Sequence, residues 1–357
     1  MTTRTPLRVV ETVRHSQVTG PGSVNSTVDA FGVSATDLGL LWDAGPGADG
    51  RPRVFVMFGD TYGQGWGGHG AGPRSADWRT NVLFWSTNTD LETESLRLEA
   101  ALGRVRGRAA AQAIRRNRLN VPWVHIPEHT LIPNAGITVN GVHYVQWMSV
   151  AYWGKAGRWR TFQSGIALSD DDGRTWDKPV SGRWWNPLGR NRFQIAALTR
   201  DEEWVYLVGT TQGRFGPAYL GRVRPEEVAR TAAYTYWDGT GWQSRQTRAA
   251  PVIDGPVGEL SVVWHRGLGR WLALHLDEER AAIVVRSAPH ITGPWSSGVE
   301  VASGRDYPAL YGGFIHPWAV DGDRIYWLMS QWDPYNVFLM RTTLAVDGRL
   351  TLDAKDQ

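Results

Sequence analysis

The sequence contains no cysteine in 357 residues. Disulfide frameworks and thiolate zinc sites are therefore excluded, and thiol usage says nothing about redox compartment. Long apolar runs are also missing. No stretch approaches the ~20 apolar residues that a membrane helix needs, so membrane insertion is not expected. Met1 to Val10 carries arginines but no apolar core of signal-peptide length, which predicts a chain that does not use the Sec route. An excess of charge of one sign is absent: 38 basic against 35 acidic residues leave a formal net charge of +3. No basic stripe alternates with base-stacking aromatics, so nucleic acid is not an expected partner. H-E-x-x-H, EF-hand and clustered-histidine patterns are lacking, and neither metal nor cofactor is expected. Phosphate-loop, nucleotide-fold and nucleophilic-serine signatures are lacking as well.

Helical periodicity is nearly absent too. Short alternating or apolar runs take its place at 54–58, 81–85, 142–150, 204–209, 260–264, 271–275, 283–286, 325–331 and 337–342. Each is bounded by Gly, Pro, Asp or Asn, which supply turn conformations. Many short strands with frequent turns point to a sandwich, barrel or propeller. Two details favour the propeller. Ser169 to Trp176, S-D-D-D-G-R-T-W, has the form of an Asp-box, a structural hairpin turn of sialidase-like blades. Tight turns also recur at Asn140-Gly141, Asp238-Gly239, Asp321-Gly322 and Asp347-Gly348. The expected fold is all-β, a five-bladed β-propeller with antiparallel four-stranded blades. Residues 1–357 form one catalytic domain in this reading, with 1–20 as an N-terminal segment. An arginine-rich insertion at 96–119 has room for a short helix; it is either a contact for an anionic polymer or a solvated loop.

Tryptophan is the compositional outlier, with 20 against 9 Phe and 11 Tyr. An indole offers a flat apolar face and one N–H donor, which suits the C–H faces and hydroxyl rims of sugars. Filling of a β-protein core accounts for a share of them.

The informative stretch runs from Gly32 to Asp43 and then from Val54 to Tyr62. Asp37 precedes one apolar strand, and Asp60 ends the next and opens a glycine-rich loop, Gly63 to Gly72. An innermost hairpin would bring both acids to one mouth of the barrel. Glycosidic cleavage needs such a pair: one carboxylic acid protonates the leaving oxygen, and one carboxylate activates water or attacks carbon. Neighbouring carboxylates also push each other's pKa apart. The competing reading makes both aspartates turn or cap residues.

The series T-D-L-G-x-x-W-D, F-G-D-T and W-R-T-N-V-L (Trp78 to Leu83) resembles the glycoside hydrolase family 183 endo-D-arabinanases of mycobacteria, related actinobacteria and their phages. Further matches follow in order: Ile132 to Ile137, Tyr144 to Val150, Trp159 to Thr161, the Asp-box, Gly258 to Val262, Tyr311 to Pro317 and Ser330 to Val337. The resemblance spans roughly residues 20–345. It implies a five-bladed propeller that cleaves α-linked D-arabinofuranose polymer internally, with Asp37 and Asp60 as the acidic pair. A carboxyl separation of ~6.5–9.5 Å would mean inversion and ~5–5.5 Å retention. Inversion is the expectation by analogy with other arabinan-cleaving propellers.

Glu259, in G-E-L-S-V, is a third candidate carboxylate that orients substrate or modulates the acid; a hydrogen-bonded strand end is the alternative. Asp333, in W-D-P-Y-N-V, is either a turn residue or part of a sugar site in which Trp332 and Tyr335 form the platform. Glu128 is a weaker candidate, and Asp43 and Asp29 stand in reserve. Arg79 and Asn81 are expected to fork hydrogen bonds to vicinal hydroxyls. Trp42, Trp78, Trp153 and Trp332 are candidates for stacking. His316 either contacts sugar or sits satisfied in the core, and His69 is incidental. The expected partner is the D-arabinan of arabinogalactan or lipoarabinomannan, reached outside the cell. A phage-encoded enzyme would need no Sec signal, because it acts from the virion or escapes at lysis. The rival reading is a phage tail or adhesion protein that binds wall polysaccharide without cutting it. A sialidase is disfavoured, because no arginine triad with a Tyr–Glu pair can be assembled.

Overall fold

The two ends of the chain close the ring. In a computed structural model, Leu7–Gln17 pairs antiparallel with Asn336–Val346, from Leu7 opposite Val346 to Gln17 opposite Phe338. The N-terminal segment is thus the outer strand of the last blade. The structure describes residues 7–73, 75–103, 110–116, 120–121, 124–125 and 128–346.

Five antiparallel blades follow one another around the ring. Blade I comprises Ala35–Pro46, Pro52–Tyr62, Val82–Ser86 and Ala100–Ala101, with Trp78–Arg79 paired alongside Pro52–Tyr62. Blade II comprises Thr130–Val139, Val142–Trp153, Trp159–Ser169 and Arg183–Trp185. Blade III is built on Ile195–Arg200, Val205–Thr210, Ala218–Val223 and Thr235–Trp237, with Trp242–Gln243 and Pro251–Ile253 added at its outer part. Blade IV comprises Leu260–His265, Arg270–Asp277, Ala282–Ala288 and Val299–Ser303. Blade V comprises Leu310–Ile315, Arg324–Gln331, Asn336–Val346 and Leu7–Gln17.

Burial falls from the axis outward and explains the sequence pattern. Innermost Thr130–Val139 is buried at every position but one. Outermost Leu7–Gln17 is buried only at Leu7. A strand covered on both faces reads as a continuous apolar run, whereas an outer strand tolerates charge. The runs read from the sequence all fall on blade strands.

The Asp-box folds as its motif requires. The Ser169 hydroxyl accepts from the Gly173 N–H at 3.0 Å, and Asp171 accepts from the Thr175 N–H at 2.9 Å. Asp172 and Gly173 adopt left-handed backbone at φ 64° and 77°, a conformation that glycine meets without cost. The α-carbon of Gly173 packs toward Leu83 and Phe55, so the box fastens blade II to blade I. The described part of the 96–119 insertion holds no helix; the four-residue helix Leu91–Glu94 lies just before it. The Asp347-Gly348 turn lies outside the described residues. Among the described residues no helix is long and apolar enough to cross a membrane.

Candidate active site

The innermost strands run parallel, so their N-terminal ends share one mouth of the channel. A cavity of about 690 Å³ opens there. Asp37, Asp60 and Glu259 all line it. Asp37 comes from the innermost strand of blade I, Asp60 from the second strand, and Glu259 directly precedes the innermost strand of blade IV.

A bulge aims Asp37. Thr36 pairs with Thr61, but Leu38 pairs with Phe58, so Asp37 alone faces Gly59 and Asp60. Leu38 and Gly39 take φ of 66° and 87°. Leu38 is not glycine, and such backbone persists only where the surroundings hold it. The Ser330 hydroxyl does so by accepting the Leu38 N–H at 2.8 Å. The bare α-carbon of Gly59 leaves space for Asp37 Oδ1, against which any added Cβ would press.

The two carboxyls have different surroundings. Asp37 Oδ2 accepts from the hydroxyls of Tyr311 and Tyr335, each at 3.0 Å. Its Oδ1 is buried with no hydrogen-bond partner among the described residues. Burial, and next the charge of Asp60, push the Asp37 pKa up to about 8 against the pull of both tyrosines. Burial and then the Asp37 charge hold the Tyr311 and Tyr335 hydroxyls well above their ordinary pKa, so both remain donors. Asp60 Oδ1 accepts from the Trp78 indole at 2.9 Å and from the Thr130 hydroxyl at 2.8 Å.

Arg214, from a loop of blade III, ties the far wall together. It donates to Glu259 Oε1 at 2.9 and 3.0 Å and to Glu278 at 3.3 Å. Its guanidinium lies 5.5 Å from the Trp159 ring and 5.2 Å from the Tyr311 ring. Burial opposes this charge, but Glu259 and Glu278 outweigh it and keep Arg214 cationic. Trp153 and Trp332 lie on the walls of blades II and V, 42% and 46% exposed, and so present ring surface for stacking.

The remaining candidates are placed otherwise, some as their structural alternatives foresaw and some against expectation. Arg79 is buried and donates to the carbonyls of Ala110 and Gly32 at 2.9 and 2.8 Å. Asn81 is buried and exchanges hydrogen bonds with the Ile114 backbone. Neither lines the cavity: Asn81 is turned to the Ile114 backbone, and Arg79 to the carbonyls and to Asp77 at 3.2 Å. Trp42 is buried at the opposite mouth, edge-on to Phe55. His316 is buried away from the cavity; burial drives its pKa down to about 3, and its Nδ1 accepts the Trp318 N–H. Tyr335 is no platform: its ring is buried and its hydroxyl serves Asp37. Asp333 points to solvent and pairs with His69 at 3.2 Å. Glu128 is buried beside Lys178 at 3.5 Å, Asp43 lies at the opposite mouth, and Asp29 is exposed.

Sequence reasoning missed Tyr311, Arg214 and Glu278. Tyr311 had a usable signal, since it opens an innermost strand just as Asp37 and Thr130 do. Arg214 and Glu278 lie in loops and had none. Among the described residues no cluster of His, Cys, Asp or Glu is placed to hold a metal ion.

A family model described as a domain of unknown function (DUF4185) matches residues 22–341. The chain belongs to the DUF4185 family. The matched span contains every residue placed at the cavity. The chain is 32% identical to the Notoamide biosynthesis cluster protein J of Aspergillus sp. (strain MF297-2), over 88% of this chain and 84% of that one. A Bacteroides ovatus ATCC 8483 structure, described provisionally as a hydrolase, superposes with TM-score 0.56 at 12% identity, covering 88% of this DUF4185 chain and 86% of its own. Xylan β-1,4-xylosidase from Bacillus halodurans C-125 superposes with TM-score 0.51 at 9% identity, covering 90% of this chain and 54% of that one. At such identities the two structures speak for the propeller fold alone.

Proposed function

We propose that this protein is a glycoside hydrolase, an endo-D-arabinanase of glycoside hydrolase family 183 that cleaves α-linked D-arabinofuranose polymer of mycobacterial-type cell walls. The observation that carries the reading is the meeting of Asp37 and Asp60 in one cavity, with burial keeping Asp37 protonated near neutral pH. In this reading Asp37 gives its proton to the leaving glycosidic oxygen as the C–O bond breaks. Asp60 activates the attacking water or attacks the anomeric carbon itself. Developing positive charge at the sugar is offset by the surrounding carboxylates, Glu259 and Glu278 included. Trp153 and Trp332 stack on sugar faces, and the Arg214 cluster orients hydroxyls. The site of action is the outer wall, reached from a virion or after lysis.

The experiment is incubation with purified mycobacterial arabinogalactan, followed by analysis of released oligosaccharides. Arabino-oligosaccharides are expected. Products from another glycan only would refute the substrate, and wall binding without products from any glycan would favour the adhesin. A second reading has one observation behind it: the fungal relatives are named for a biosynthesis cluster. A cavity of about 690 Å³ also lies in the range of small-molecule sites. Release of arabino-oligosaccharides at catalytic turnover would exclude that reading.

A further inference from the structure

The W-R-T-N tetrapeptide, Trp78 to Asn81, fastens the tail of the arginine-rich insertion. Arg79 donates to the Ala110 carbonyl at 2.9 Å, and the Thr80 N–H donates to Gln112 Oε1 at 3.3 Å. Asn81 donates to the Ile114 carbonyl at 3.0 Å and accepts the Ile114 N–H at 2.7 Å. Thus anchored, the chain carries Arg116 over Trp78, with the guanidinium carbon 4.7 Å from the ring centroid. Arg116 Nη1 donates to the His129 carbonyl at 2.9 Å and to the Glu128 carbonyl at 3.4 Å. Trp78 and Thr130 both donate to Asp60 Oδ1. One guanidinium therefore braces both donors from behind, touching the ring of one and the residue just before the other.

We infer that Arg116 is a positioning residue for Asp60, acting through Trp78 and Thr130 rather than on substrate. A guanidinium suits this place because it is planar enough to stack on indole and still has N–H groups for two carbonyls. The tetrapeptide and the insertion then serve one purpose: they fix the oxygen of Asp60 that faces its donors. This inference rests on Asp60 being a reacting carboxylate.

The test compares Arg116→Ala, Arg116→Lys and Trp78→Phe in the full chain, with arabinogalactan as the probe. Misplacement of a reacting group costs on the order of tenfold to a hundredfold in rate. Arg116→Ala is expected to lower kcat by that factor with KM little changed, and Arg116→Lys to recover most of it. Arg116→Ala on top of Trp78→Phe should cost less than in the wild type, since the Trp78 hydrogen bond is already gone and only the Thr130 side remains to be loosened. A second readout needs no turnover. The Trp78 indole N–H resonance, assigned by its loss in Trp78→Phe, should shift and exchange faster in Arg116→Ala. Wild-type kcat in Arg116→Ala, or kcat and KM changing together without recovery by lysine, overturns the inference. If the wild type cleaves no glycan, the proposed function has failed and indole exchange alone decides: faster exchange in Arg116→Ala upholds the bracing of the Trp78–Asp60 hydrogen bond, and unchanged exchange refutes it.

Discussion

The same five innermost strands end in two mouths, and the mouths differ in how they treat acids. At the far mouth, around a cavity of about 580 Å³, Asp43 is fully engaged. Its Oδ1 accepts the Gly45 N–H at 2.8 Å and its Oδ2 accepts the Trp318 indole at 3.1 Å. Asp321 forms an exposed pair with Arg266. At the near mouth, Asp37 Oδ1 and Glu259 Oε2 are buried without hydrogen-bond partners among the described residues. At Asp37, burial and then the neighbouring Asp60 charge raise the pKa, a condition suited to acid–base work. A propeller thus offers two similar openings, and the surroundings of their acids distinguish one from the other.

The sharpest way to break this comparison is to neutralise one acid at each mouth. Asp37→Asn and Asp60→Asn should each lower kcat by ~10³-fold, in the range of general acid–base contributions. Asp43→Asn should stay within about twofold, since no reacting atom depends on it. Comparable losses at both mouths in steady-state kinetics would erase the distinction.

A methyl group sharpens it further. Gly59→Ala presses on Asp37 Oδ1 and should cost on the order of tenfold or more in kcat, with modest loss of stability. Gly136→Ala presses on the Trp42 ring and should do the reverse, costing about 1–3 kcal/mol in denaturant unfolding with kcat little altered.

Exposed indoles allow a finer comparison, because Trp332 and Trp264 are similarly exposed at 46% and 40%. Trp332→Ala should raise KM roughly fivefold, for about 1 kcal/mol of lost stacking. Trp264→Ala, at the far mouth, should leave KM unchanged.

A separate comparison is stability against pH. Asp37 titrates near 8 in the folded chain against 3.8 ordinarily. Between those values the folded state holds a proton that the unfolded state has lost, so stability falls as pH rises, by at most about 1.4 kcal/mol per pH unit. Asp37→Asn removes that slope, and its melting temperature should gain on the wild type from about pH 4 to 8. Burial pushes His316 and His275 the other way, down to about 3 and 4, and their stabilisation is lost as pH falls below the ordinary histidine value. A wild-type optimum between the two limbs is expected in thermal melts across pH.

Local chemistry made much of this readable. Strand periodicity, the Asn140-Gly141 turn and the Asp-box all follow from backbone preferences within a few residues, and each is present. Asp37 and Asp60 could be placed together because they flank one hairpin. Arg79 and Asn81 were misread for a physical reason. Their donor groups suit sugar hydroxyls and backbone carbonyls equally well, and only packing of the insertion decides which they meet.

The order of residues therefore settled the strands, the turns and the pairing of two acids, since these depend on neighbours in the chain. Closure of the ring settled the rest. Tyr311 and Tyr335 reach Asp37 from 274 and 298 residues away. Arg214 meets Glu259 across two blades. Burial at the axis, which exists only once all five blades are assembled, is what lifts the Asp37 pKa above that of an ordinary aspartate.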